Sequence, residues 1–71
     1  MKAYGGEVER HMKALYDSLS EKDRRRYAAI EALKVGHGGV AYVSRLFGCD
    51  ADTVRQGEAD IAAPAAHHTT Y

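Results

Sequence analysis

The apolar positions of this chain fall into stretches with helical spacing. Val8, Met12, Leu15 and Leu19 stand at i, i+4, i+7 and i+11. This predicts a first helix over about Glu7 to Leu19, with Glu7, Glu9, Arg10, Lys13 and Asp17 mostly off the stripe. Ser20-Glu21-Lys22-Asp23 reads as a helix start, because a serine oxygen can take up a free backbone N–H and acids suit the positive helix end. The second helix then runs to about Val35. Tyr27, Ile30 and Leu33, joined by Ala29, form its apolar face, and Gly36 ends it. On this reading Glu31 and Lys34 lie outside, and the Arg26 stem lies over the core. His37-Gly38-Gly39 is a tight connection.

Val40, Val43 and Phe47 stand at i, i+3 and i+7, with Leu46 beside them, and predict a short third helix that Gly48 stops. Asp50 suits the N-cap of a fourth helix, in which Val54 and Ile61 face the core together. Gly57 should weaken that helix by ~1 kcal/mol relative to alanine. Pro64 ends any helix by about residue 63. The apolar positions do not alternate, so no strand is expected. The predicted organisation is a flexible lead-in over residues 1–6, an all-α domain over residues 7–62 and a disordered tail over residues 63–71. The domain has three to four short helices and includes a helix-turn-helix.

The helix-turn-helix reading rests on residues 40–61. Ser44 is small where two helices cross, and Gly48 follows four positions later at the turn. Val54, six positions after that glycine, fills the angle between the helices together with Phe47. Such a motif places its second helix in the DNA major groove while the first crosses the backbone. Plain structural corners share the pattern.

Charge bears on that reading in two ways. The 71 residues carry 10 Lys+Arg and 10 Asp+Glu, which excludes a uniformly basic coat but not a local basic patch. Lys22, Arg24, Arg25, Arg26 and Lys34 make the second helix basic, and Arg45 adds a charge on the third. Lys22, Arg24, Arg25 and Arg45 are therefore candidate phosphate contacts, the alternative being a solvated face of i, i+4 pairs. Tyr42 is either on the outer face, where it would touch phosphate, or a partly buried aromatic. The fourth helix carries Asp50, Asp52, Glu58 and Asp60 against Arg55 alone, a surface that phosphates repel. Within it, Thr53, Arg55 and Gln56 are best placed to meet base edges, where arginine prefers guanine and glutamine adenine.

Other chemistry is narrowed by size and residue usage. A core of this length supplies only about 3–5 kcal/mol, too little for a self-contained two-metal nuclease, a Rossmann enzyme or a barrel. The single cysteine, Cys49, excludes an internal disulfide. His11, His37, His67, His68 and Cys49 fit no zinc spacing, so no metal or other cofactor is expected. Gly36-His37-Gly38-Gly39 lacks both the preceding strand and the Gly-Lys-Ser/Thr ending of a phosphate loop. No apolar run approaches the ~20 residues of a membrane span, and residues 1–10 have no signal-peptide core, which points to the cytoplasm.

The order of these pieces resembles a known family. The chain shows Leu19-Ser20-Glu21-Lys22-Asp23-Arg24-Arg25-Arg26-Tyr27-Ala28-Ala29, Glu31-Ala32, Gly36-His37-Gly38-Gly39-Val40, Leu46-Phe47-Gly48-Cys49-Asp50 and Thr53-Val54-Arg55-Gln56-Gly57. Over about Tyr16 to Gly57 it is similar to the N-terminal region of Rhodopirellula-type DDE transposases. There an LxExxRRxxAAxEAxxxGxGG block leads into a helix-turn-helix ending in T-I/V-R-x-G. The resemblance implies a module that binds double-stranded DNA at the terminal inverted repeats of an insertion sequence during transposition and DNA recombination. It also implies a bacterial, nucleoid-associated setting. In the family a basic linker and a catalytic domain follow, with carboxylates holding two Mg²⁺ ions. Here Glu58-Ala59-Asp60-Ile61 stands where R-E-L-like residues would be, and Asp52 and Glu58 depart from the usual basic character. The expectation is a truncated transposase product without enzymatic activity, alone, as a homodimer or with a full-length transposase. The alternative is a small helical protein-interaction module or a decayed remnant without DNA affinity.

Overall fold

The structure, a computed structural model, describes residues 4–62. They form α1 (Gly6–Ser18), α2 (Glu21–Val35), α3 (Gly39–Phe47) and α4 (Ala51–Ala62), with no strand among the described residues. The all-α expectation holds, with four helices. The tail over residues 63–71 and the first three residues of the lead-in lie outside the described residues.

The central element is α2, against which both α3 and α4 pack. Its start follows the sequence reading, because the Ser20 Oγ accepts the Asp23 backbone N–H at 3.3 Å. Its buried face differs. Ala28, Ala29 and Ala32 are buried, whereas Ile30 and Leu33 are exposed and Tyr27 only half-buried. The reason is the distance between helices. A Cβ on Gly39 would collide with the Ala32 carbonyl, and one on Gly57 with the Arg25 carbonyl. Where backbones approach this closely only alanine and glycine fit, so Ile30 and Leu33 turn outward. Gly57, read from the sequence as a weak point, is the contact that seats α4 on α2.

The buried line of α1 is also rotated from its hydropathy stripe. Met12 and Tyr16 are buried, while Val8 and Leu15 are about half exposed. Tyr16 stacks on Phe47 with ring centroids 4.3 Å apart. Glu9 faces inward and accepts a hydrogen bond from the Tyr42 hydroxyl. This aromatic stack and polar contact set the rotation of α1, and Val8 is left outside. Tyr42 is correspondingly buried rather than on an outer face. Glu31, expected outside, is buried too, and accepts the Tyr4 hydroxyl at 3.2 Å and the Lys34 ammonium at 3.4 Å. The Tyr4 backbone N–H donates to the Tyr42 hydroxyl at 3.1 Å, so this part of the lead-in is tied to the core.

Residues 48–50 connect α3 to α4. Gly48 adopts φ 72° and ψ 34°, a left-handed conformation that other residues adopt only at a cost. The N–H groups of Gly48 and Cys49 both donate to the Ser44 carbonyl, closing α3. The Asp50 carbonyl then accepts the N–H groups of Thr53 and Val54 as α4 begins. Val43 and Val54, both fully buried, fill the angle between the two helices with Phe47.

Two outcomes follow. Helix propensity alone would make Gly57→Ala stabilising by ~1 kcal/mol. The collision with α2 instead predicts destabilisation by about 2 kcal/mol or more, read as the sign of the change in urea unfolding. Separately, burial, reinforced by the Cys49 side chain, pushes the Tyr16 hydroxyl from 10.0 up to about 12. The folded state then holds a proton that the unfolded chain releases near pH 10.0, so this stabilisation is intact below pH 10.0 and lost as pH rises through about 12. Thermal melts of Tyr16→Phe should lose less stability across that window than the parent. Some loss remains, because burial also raises Tyr27 and Tyr42.

Candidate nucleic-acid interface

With Val54 and Gly57 turned inward, the opposite side of α4 is an exposed row of Asp52, Arg55, Gln56 and Ala59 at i, i+3, i+4 and i+7. Two of the three candidate base readers, Arg55 and Gln56, belong to this row. Thr53 does not. It is half-buried and lines a cleft of about 370 Å³ between the start of α2 and the α3–α4 turn. Arg24, Arg25, Cys49, Glu21 and Asp50 line the same cleft, so it holds both cations and carboxylates.

The candidate phosphate contacts separate into three kinds. Lys22 and Arg45 are exposed and have no ion-pair partner among the described residues. Arg24 and Arg25 are engaged within the chain. Arg24 Nε donates to the Tyr16 carbonyl at 3.0 Å and Nη2 to the Asp17 carbonyl at 2.7 Å. Its guanidinium lies 5.5 Å from the Tyr16 ring centroid. These carbonyls belong to the last turn of α1, where the Tyr16 carbonyl also accepts the Leu19 backbone N–H at 3.2 Å, and a cation suits that end of the dipole. Arg25 Nε instead reaches Asp60 Oδ2 at 3.4 Å, joining α2 to the last turn of α4. Tyr42 is removed from the set, since it is 6 % exposed and its hydroxyl is bonded to Glu9. Arg26, expected to lie over the core, is exposed and paired with Asp23.

The acids of α4 are not equivalent. Asp52 is fully in solvent and accepts from Arg55 Nη1 at 3.2 Å. Asp60 is turned toward α2. Its Oδ1 accepts from Gln56 Nε2 at 3.1 Å while Oδ2 meets Arg25. The Gln56 hydrogen bond, and after it the Arg25 guanidinium, hold the Asp60 carboxyl below its ordinary value. The sequence reading missed the Arg25–Asp60 link. A signal for it was present, because Asp60 stands one turn after Gly57, on the flank of the face that meets α2.

No group of His, Cys, Asp and Glu among the described residues is arranged to hold a metal ion. No helix among them is long and apolar enough to cross a membrane. No family model, curated protein or solved structure matches the chain.

The two kinds of arginine should respond differently to truncation. Arg24→Ala should cost about 1–2 kcal/mol in urea unfolding, since it strips charged hydrogen bonds from the end of α1. Arg45→Ala, on an exposed site, should stay within about 0.5 kcal/mol of the parent.

Proposed function

We propose that this chain is a double-stranded DNA-binding module of the helix-turn-helix kind, related in origin to the inverted-repeat-binding region of insertion-sequence transposases. The supporting observation is the exposed row of α4, in which Arg55 and Gln56 stand side by side on a helix held firmly from behind. A helix docked in the major groove reads bases through such a row, arginine pairing with guanine and glutamine with adenine. Lys22 and Arg45, with the outer nitrogens of Arg24 and Arg25, supply phosphate contacts beside it. Thr53, at the start of α4 and next to the cleft, meets the backbone or a base edge at the same end. Pairing of Asp60 with Arg25 and of Asp52 with Arg55 lowers the repulsion that the acids of α4 would exert on phosphates. No catalytic role is assigned to any residue.

A second reading rests on different residues. Val8 and Leu15 on α1, and Ile30 and Leu33 on α2, are 47–59 % exposed, as in a protein-interaction module. Salt separates the two readings. Fluorescence anisotropy with a short mixed-sequence duplex should show affinity falling as salt rises from ~50 to ~200 mM, with a log–log slope of up to about −3.6 if all four cations contact phosphate. Arg55→Ala should relax base preference by about 1–3 kcal/mol. Absence of duplex binding at ~50 mM salt would favour the protein-interaction module.

A further inference from the structure

The link between Arg25, Asp60 and Gln56 bears on how a base would be read. Gln56 is exposed on the outer row of α4, and an exposed glutamine has freely turning torsions. Here its amide is held by Asp60 Oδ1 at 3.1 Å, and Asp60 is held in turn by Arg25 at 3.4 Å through its other oxygen. The Arg25 and Asp60 side chains are only 29 % and 32 % exposed, unlike Asp52 at 96 %. The base of this chain of contacts is rigid. The Arg25 carbonyl lies so close to Gly57 that no side chain fits between them, which sets the register of Arg25 against Asp60 one turn further on. The amide of Gln56 has two N–H groups and a carbonyl oxygen. One N–H goes to Asp60; the other, with the oxygen, remains for a bidentate contact to an adenine edge.

We infer that Asp60, and Arg25 acting through it, are positioning residues that orient Gln56 to read one base. This rests on the DNA-binding reading above. It gives Arg25 a part in addition to the phosphate contact that its charge suggests. It gives Asp60 a reason to stand on a helix that faces DNA. Arg25 also neutralises the carboxylate, so Asp60 orients the reader without repelling the duplex.

The test selects bound sequences from a duplex library with a randomised centre, using the parent chain and Gln56→Ala, Asp60→Ala and Arg25→Met. Helicity and melting of each variant are checked beforehand. Gln56→Ala identifies the position that Gln56 reads. Asp60→Ala and Arg25→Met should each lose preference at that same position by about tenfold and keep the rest of the selected sequence. Asp60→Ala should bind the pool no more weakly than the parent, because it removes a negative charge. A merely structural or phosphate-holding role for Arg25 would lower affinity uniformly and leave the preference intact. That result overturns the inference, as does either variant keeping the parent's preference or Gln56→Ala changing no position. A parent chain that binds no duplex overturns the DNA-binding reading itself.

Discussion

The arrangement depends on how closely α3 and α4 approach the backbone of α2. Gly39 lies against the Ala32 carbonyl and Gly57 against that of Arg25, and Ala28, Ala29 and Ala32 are buried on the α2 face. Interiors this dense tolerate little change in volume, so these contacts act as fixed points. They determine which side of α4 is buried through Val54 and which side is presented. They also leave α3 and α4 a short connection, which Gly48 closes in a left-handed conformation. A larger residue at either fixed point would lift a helix away and displace the outer row with it.

The second consequence concerns charge. A chain with 10 basic and 10 acidic residues has no overall attraction for phosphate. The structure distributes those charges unequally. Arg24 closes the end of α1, Arg25 meets Asp60, and Arg26 meets Asp23. Lys22 and Arg45 remain in solvent without such partners among the described residues. Any attraction for phosphate there therefore depends on a few exposed cations, Lys22 near the start of α2 and Arg45 near the end of α3. DNA binding by such a surface is expected to be weak and strongly salt-dependent, with discrimination resting on the outer row of α4.

Much of the fold was legible because the signals were local. The Ser20 cap, the Gly36 and Gly48 breaks and the four helical stretches are each decided by a few neighbouring residues. Helix faces were less legible. Hydropathy pointed to Ile30 and Leu33 on α2, but the interhelical distance admits only alanine and glycine there. It pointed to Val8 and Leu15 on α1, but the Tyr16–Phe47 stack and the Glu9–Tyr42 hydrogen bond set a different rotation. The candidate site followed the same division. Arg55 and Gln56 fall on the outer row because helical period alone puts them opposite Val54 and Gly57. Tyr42, Arg24 and Arg25 find their partners on other helices, which the period of a single helix does not show.

The central claim is that α4 presents a base-reading row while the apolar surface of α1 and α2 is not the binding face. Backbone amide NMR of the labelled chain, titrated with a short duplex at low salt, tests it most directly. The expected result is a set of shifts concentrated on Asp52, Arg55, Gln56 and Ala59, with smaller ones at Lys22, Arg45 and Thr53, all reversed by added salt. Shifts confined to the surroundings of Val8, Leu15, Ile30 and Leu33, or no shifts at all, would contradict it.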